Sequence, residues 1–537
     1  MIKKFINRQS ASITSAAFIL AAASLASKFL GLLRNNILTN RFSIYDELDI
    51  YYAAFRIPDF IFNIIVLGAL SAGFIPVFAK LVAQEKQAEA FKAANNILNI
   101  LFLILAPLSL ALIIFAPQLM EIIAPGFDAE KKKQTAELTR IMLLSPIFLL
   151  LSSITGGILQ SYKRFFIYSL SPIMYNLGII FGALVLSDLY GLKGLALGVV
   201  LGSFLHFTIQ LPSVKNLGFA YQPFIDTKSK EIRTIIKMMV PRIVTLATSQ
   251  VNLLAITIIA STLAAGSLTV FNLANDLQSF PLGIFAISFA IAAFPTLSSL
   301  GEEKDREEFA KVFTATARQI LYFIIPLSVL LIVLRAQIVR VILGRGPLFG
   351  WEETITTINT LQIFCLSLFA QALIPLLARS FWALHDAKTP FYSALISTII
   401  NIFLALGLSR NFGIYGLVGA FSISSTINAL ILFILLKKKL GVNIEKKDKQ
   451  VIAKIAFSSF LSGSIAYLML YAIEPFISTN TFIGIFMQGA IAGTIGIACY
   501  LLISWTLQIE EFNKFKNSFQ KKVFKTKIKT TEIIVEE

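Results

Sequence analysis

Residues 51–60 read YYAAFRIPDF and run directly into IFNIIVLGALSAGFIPVF, residues 61–78. The run is apolar enough for a membrane helix, yet Arg56, Pro58 and Asp59 sit within one turn of it. A charge near the centre of a bilayer costs a few kcal/mol or more, so such residues face a bundle interior or a wet cavity. Asp49, Tyr52, Arg56, Asp59 and Asn63 are spaced i, i+3, i+7, i+10 and i+14, which places them on one helical face. Pro58 removes a backbone hydrogen bond and predicts a kink.

The whole chain has the same character. Of its 537 residues 56% are hydrophobic and 14% charged, with mean hydropathy +0.77. A soluble domain carries about a quarter charged residues. Apolar blocks of bilayer length recur from end to end, about fourteen in number, and predict an all-α polytopic membrane protein. The net charge of +17 does not indicate nucleic acid, because the basic residues cluster in short gaps between apolar blocks. Lys3, Lys4, Arg8, Lys80, Lys86, Lys163, Arg164, the 215–238 stretch, Lys304, Lys311, Lys388 and the 437–449 stretch fall on one side. That side is therefore cytoplasmic, and an even number of spans puts both termini there. Cys365 and Cys499 lie in apolar segments and read as buried hydrophobes, not as a metal or disulfide framework.

The expected organisation is an N-lobe of six spans over 1–214, a link at 215–238 with amphipathic character, and a C-lobe of six spans over 239–440. Two further spans follow over 451–506, and a basic tail over 507–537. An internal repeat supports two lobes. LVLSDLYGLKGLALG (184–198) aligns with LGLSRNFGIYGLVGA (406–420), matching Ser187 with Ser409, Gly191 with Gly413 and Gly194 with Gly416 at an offset of 222. Pro76 matches Pro295 at offset 219. Such duplication is typical of transporters with a site between repeats near mid-membrane.

Polar stripes recur in both lobes. The first block carries Ser24, Lys28, Gly31 and Asn35 on one face, with Ser27 and Arg34 beside it. In the second lobe LTVFNLANDLQSFPLGIF (268–285) aligns Asn272, Asn275, Asp276 and Ser279, and the preceding span has Ser249, Gln250 and Asn252. Two readings follow. The stripes line a central transport cavity, or Lys28, Arg34 and Arg56 pair with Asp49 and Asp59 to lock helices together. His206 is expected to be packed. Arg379, His385 and Asp386 are expected in a solvated loop. Asn401, with Ser393 and Ser397, fits either the cavity or helix–helix hydrogen bonding. No Walker loop, dinucleotide turn, HExxH or Cys/His cluster is present, so no cofactor, metal or catalytic residue is expected.

Six blocks together resemble the MurJ/MviN family of lipid II flippases, in the multidrug/oligosaccharidyl-lipid/polysaccharide exporter superfamily. They are SKFLGLLR (27–34), DIYYAAFRIPDF (49–60), GALSAGFIPVF (68–78), APGF (124–127), SQVNLLAITIIASTLAAGS (249–267) and FPLGIFAISFAIAAFPTL (280–297). The resemblance implies fourteen helices, two six-helix lobes facing each other in a V, and a groove for the lipid tail at helices thirteen and fourteen. The implied cargo is lipid II, moved between leaflets of the bacterial inner membrane by alternating access, in a membrane-embedded monomer alongside cell-wall synthesis proteins. Lys28, Arg34 and Asp49 match charged positions of the family's cavity. Asn35 stands where the family often has Asp, Asn63 and Leu67 where it often has a basic and an acidic residue, and Asp276 where it often has Arg. On this reading Lys28, Arg34 and Arg56 bind the pyrophosphate and Asp49 holds the cations. Asn63, Asn275 and Asp276 complete the substrate site, while Asp59, Gln250 and Asn252 serve ion coupling or a gate. A cation-coupled multidrug exporter, or a flippase for another lipid-linked oligosaccharide, is the alternative.

Overall fold

The structure is a computed structural model that describes residues 13–68, 70–344, 348–441, 446–479, 481–514 and 516. Lys3, Lys4 and Arg8, and most of the basic tail, lie outside these. Among the described residues every regular element is a helix. Among the described residues eleven helices are long and apolar enough to cross a bilayer, or twelve if Trp351–Leu366 and Leu368–Ala383, bent by 46° at their junction, count as one span. Two segments account for the difference from fourteen blocks. Lys388–Leu440 counts once but holds two helices that meet at Gly413, where φ 54° and ψ −133° break the helix. The helix Ile13–Arg41, 29 residues long, stands outside that count.

The duplication is visible element by element. Gln87–Ile114 and Arg306–Val333 are both 28 residues long, and each carries an internal proline, Pro107 and Pro326, at the same place. Ala116–Ile123 and Arg335–Ile342 follow them, each eight residues long. π-helical turns at Phe62–Leu67 and Leu282–Ala286 interrupt matching helices.

The chain forms two compact units, each assembled from several segments. The first comprises Met1–Phe280, Val339–Phe364 and Phe391–Asn428. Its apolar core includes Phe74, Phe78, Ile97, Leu105, Met120, Leu150 and Ile158, all buried. Lipid offers no hydrophobic drive between helices, so close packing carries more of the association. Phe165–Phe181 and Leu192–Thr208 meet glycine to glycine. A Cβ on Gly178 would lie 2.3 Å from the Cα of Gly202, and one on Gly182 would lie 2.4 Å from that of Gly198. Only glycine permits this approach.

The 215–238 link is anchored rather than free at its start. Residues 219–226 run without regular structure, and three asparagines of the Gln87–Ile114 helix satisfy their backbone. Asn95 exchanges hydrogen bonds with Ala220 O and Gln222 N, and Asn96 with Asp226 O and N. Asn99 donates to Gln222 O and Phe224 O. Backbone groups left unpaired here would be costly. Ser229 then caps the helix Lys230–Ser261, accepting from Ile232 N, and Ile232 and Ile235 enter the first unit's core.

The second unit comprises Pro281–Ile338, Cys365–Pro390 and Ala429–Glu537. Its main core holds Leu297, Phe309, Ile320, Leu376, Phe381 and Leu432. The last two apolar helices, Lys446–Ile473 and Phe482–Thr506, are tied to Arg306–Val333 by Arg318. This buried guanidinium meets Asp448 at 2.8 Å, Glu510 at 3.1 Å and Glu511 at 2.9 Å, and Lys447 also pairs with Glu510. Farther along, Tyr500 Oη donates to Tyr322 O at 2.7 Å, and Ser462 Oγ donates to Gly496 O at 2.8 Å.

Candidate functional site

The opening stretch folds as two helical pieces, Glu47–Ala54 and Arg56–Ile61, with a break at Phe55. Pro58 explains it. Its nitrogen cannot donate to Ala54 O, and the hydroxyl of Thr139 lies 3.4 Å from that carbonyl instead. A π-helical turn follows from Phe62, and Asn63 donates back to Asp59 O of its own helix at 2.8 Å.

Within the first unit, three cations gather around one carboxylate. Asp276 interacts electrostatically with Lys28, Arg34 and Arg56. Asp59 does so with Arg56 and Arg34. Three cations thus face two carboxylates.

The cations differ in how far their donors are committed. Arg34 donates Nε and Nη2 to Asn35 Oδ1 at 3.2 and 3.0 Å and Nη1 to Asn176 Oδ1 at 3.3 Å. Its Nη2 stands 3.8 Å from Asp276 Oδ2. Asn35, 2% exposed, donates its amide to the same Asp276 oxygen at 2.9 Å. Arg56 donates Nη2 to Asn272 Oδ1 at 2.7 Å, while its buried Nε has no hydrogen-bond partner, and neither has the buried Tyr52 hydroxyl. Lys28 is half-buried; its Nζ reaches Ser279 O at 3.4 Å and lies 5.8 Å from the Phe280 ring centroid.

Asp49 does not join this cluster, which corrects the expectation that it holds the cations. It is 2% exposed and accepts from Gly266 N at 2.7 Å, Thr269 N at 2.8 Å and Thr269 Oγ1 at 2.7 Å. These donors start the helix Ser267–Pro281, so the carboxylate satisfies a helix N-terminus, where orphan N–H groups and the macrodipole favour an anion.

The remaining expected residues are scattered. Asn275 accepts from Gln278 Nε2 at 3.0 Å on its own helix. Asn252 accepts from Asn401 Nδ2 at 2.7 Å, whereas Gln250, two residues earlier on the same helix, is half-buried. Ser393 and Ser397 bond Asn428 Oδ1 and Ser424 O, which is helix–helix hydrogen bonding. His206 is packed, with Nδ1 2.5 Å from Ser152 Oγ. Asp386 is not simply solvated, since Lys439 pairs with it at 2.6 Å.

Asn176, the second acceptor for Arg34, was not singled out by sequence. It is a lone amide on the apolar helix Phe165–Phe181, and its isolation was the available signal. The Asn95, Asn96 and Asn99 trio, in NNILN, carried a stronger one.

The lipid II flippase MurJ family profile matches residues 45–487. The chain belongs to this family. It is 28% identical over 503 residues to the probable lipid II flippase MurJ of Rickettsia prowazekii, covering 92% of this chain and 98% of that protein. It is also 28% identical over 489 residues to the Thermotoga maritima counterpart, covering 91% and 95%. Among solved structures, a lipid II flippase MurJ in an inward closed conformation superposes with a TM-score of 0.75 at 26% identity, covering 91% of this chain and 98% of that one. An inward-facing multidrug-resistance transporter of the MATE family superposes at 0.65 with 15% identity, so it shares the fold. The MurJ family match spans the Asp49–Asn63 and Asn272–Ser279 stripes, whereas Lys28, Arg34 and Asn35 precede it.

Proposed function

We propose that the chain moves lipid II, undecaprenyl-pyrophosphate bearing the peptidoglycan disaccharide-pentapeptide, from the inner to the outer leaflet of the cytoplasmic membrane by alternating access. It acts as a transporter and makes or breaks no covalent bond. The observation that carries this reading is the convergence of Lys28, Arg34 and Arg56 within membrane-spanning helices, with Arg56 Nε left without a partner. A pyrophosphate leaving water loses strong solvation, and charge-assisted donors at short range are what replace it.

On this reading both termini are cytoplasmic. The lobes at 1–214 and 239–440 rock about the site, with the 215–238 link between them. The helices over 451–506 hold the prenyl tail, and the basic tail over 507–537 rests on anionic headgroups. The chain works as a monomer beside cell-wall synthesis proteins.

Growth of a bacterium depleted of its own lipid II flippase tests the reading. Expression of this chain restores growth and normal shape. Failure to restore either, with the chain inserted at normal levels, contradicts it.

A further inference from the structure

We propose that Asp276 is an internal counter-anion, latched to Arg34 through Asn35, which the anionic head group must displace to engage the full set of cations. This rests on the lipid II reading and deepens it.

Three observations lead there. Among the described residues Asp276 is the one carboxylate that interacts with Lys28, Arg34 and Arg56 together, the position an anionic ligand would occupy. Asn35 is buried and has both halves of its amide in use, accepting from Arg34 and donating to Asp276. Asp276 itself keeps 41% of its side chain exposed, against 21% for Arg34, so it borders open space rather than packed core.

The latch is weak by its geometry. The direct charge pair spans 3.8 Å, longer than a charge-assisted hydrogen bond of about 2.7–2.9 Å, so a neutral amide holds the guanidinium in place of a carboxylate. A phosphoryl oxygen reaching Arg34 offers a shorter and more highly charged acceptor. Its charge also repels Asp276 at short range. Binding at Arg34 and separation of Asp276 are therefore one event. Because Arg34 and Asn35 lie on Ile13–Arg41 and Asp276 on Ser267–Pro281, that event loosens these two helices from each other. Coupling of this kind is reciprocal, so whatever opens the latch also raises affinity for the anion.

Inorganic pyrophosphate binding to the purified full-length chain in lipid nanodiscs tests this. Asp276→Asn keeps a side chain of the same shape and removes the competing charge, and it tightens pyrophosphate binding by about tenfold. Asp276→Ser gives a gain in the same direction if the asparagine variant inserts poorly. Arg34→Ala costs more affinity in the Asp276→Asn background than in the unaltered chain, because only there is its guanidinium released to the ligand. If Asp276→Asn binds no tighter while Lys28→Ala and Arg56→Ala still weaken binding, the counter-anion is overturned and the cationic site stands. If no form of the chain binds pyrophosphate, the anionic head-group reading falls and the latch with it.

Discussion

Gly191 and Gly413, 222 positions apart, share one backbone conformation, with φ 57° and ψ −141° at the first and φ 54° and ψ −133° at the second. Each is followed three residues later by a glycine pressed on a carbonyl. A Cβ on Gly194 would lie 2.1 Å from Leu186 O, and one on Gly416 would lie 2.2 Å from Leu408 O. The duplication thus extends to individual torsion angles and contacts.

Alanine separates the two causes. At Gly191 and Gly413 no atom stands within 4 Å of a new Cβ, so Gly191→Ala and Gly413→Ala pay only backbone strain, roughly 1–3 kcal/mol each. Gly194→Ala and Gly416→Ala meet backbone and lose more. Thermal melting of the four purified variants checks the order, and equal losses throughout would contradict it.

Gly198→Leu forces the Phe165–Phe181 and Leu192–Thr208 helices apart, since the existing approach leaves no room even for a Cβ. Overpacking of this kind costs about 1–3 kcal/mol or more. The folded, monodisperse fraction in detergent falls sharply, whereas Leu197→Ala, at an exposed neighbouring position, leaves it near normal.

Arg318→Met leaves Asp448, Glu510 and Glu511 together without their shared cation. Breaking a buried ion network from one side costs about 3–5 kcal/mol. Protease susceptibility of the segment after Thr506 rises in this variant. Arg318→Lys recovers only part of the loss, because one ammonium cannot serve three carboxylates in a planar fork.

Asp49→Asn leaves one acceptor oxygen for three donors at the start of Ser267–Pro281. An unsatisfied buried donor costs about 1–3 kcal/mol. Melting temperature therefore drops along with transport, which distinguishes a helix anchor from a residue that only touches cargo.

Asp386, in the turn before Lys388, titrates low. Burial alone lifts its carboxyl, but the Lys439 ammonium and the N–H and hydroxyl of Thr389 outweigh it and hold it at about 2. Its stabilising contribution is present above the ordinary carboxylate range and is lost as pH falls from about 4 through about 2. Near the surface it amounts to roughly 1–2 kcal/mol after solvent screening. The melting difference between the native chain and Asp386→Asn narrows over that window and stays constant from pH 5 to 7.

Much of the fold was legible because a bilayer imposes a length and a composition on every span. The repeat was legible because positive-φ backbone and close contacts demand glycine at Gly191, Gly194, Gly413 and Gly416. The site was legible in part. Helical spacing placed Arg56 and Asp59 together, but it did not show that Asn63 would donate its amide to Asp59 O of its own helix. Spacing along one helix also said nothing about partners 200 residues away. Asp49 therefore read as a neighbour of cations, although its donors belong to Gly266 and Thr269. Asn35 and Asp276 each read as a separate departure from the family's pattern, and only the fold shows that they touch.

The most direct test of the central claim is the amount of lipid II exposed at the outer face of cells that depend on this chain, measured beside the Arg56→Ala variant at matched membrane levels. The account predicts that the chain restores exposure and that Arg56→Ala, inserted and folded, abolishes it. Full exposure with Arg56→Ala would contradict the cationic site, and no exposure with the unaltered chain would contradict lipid II as the cargo.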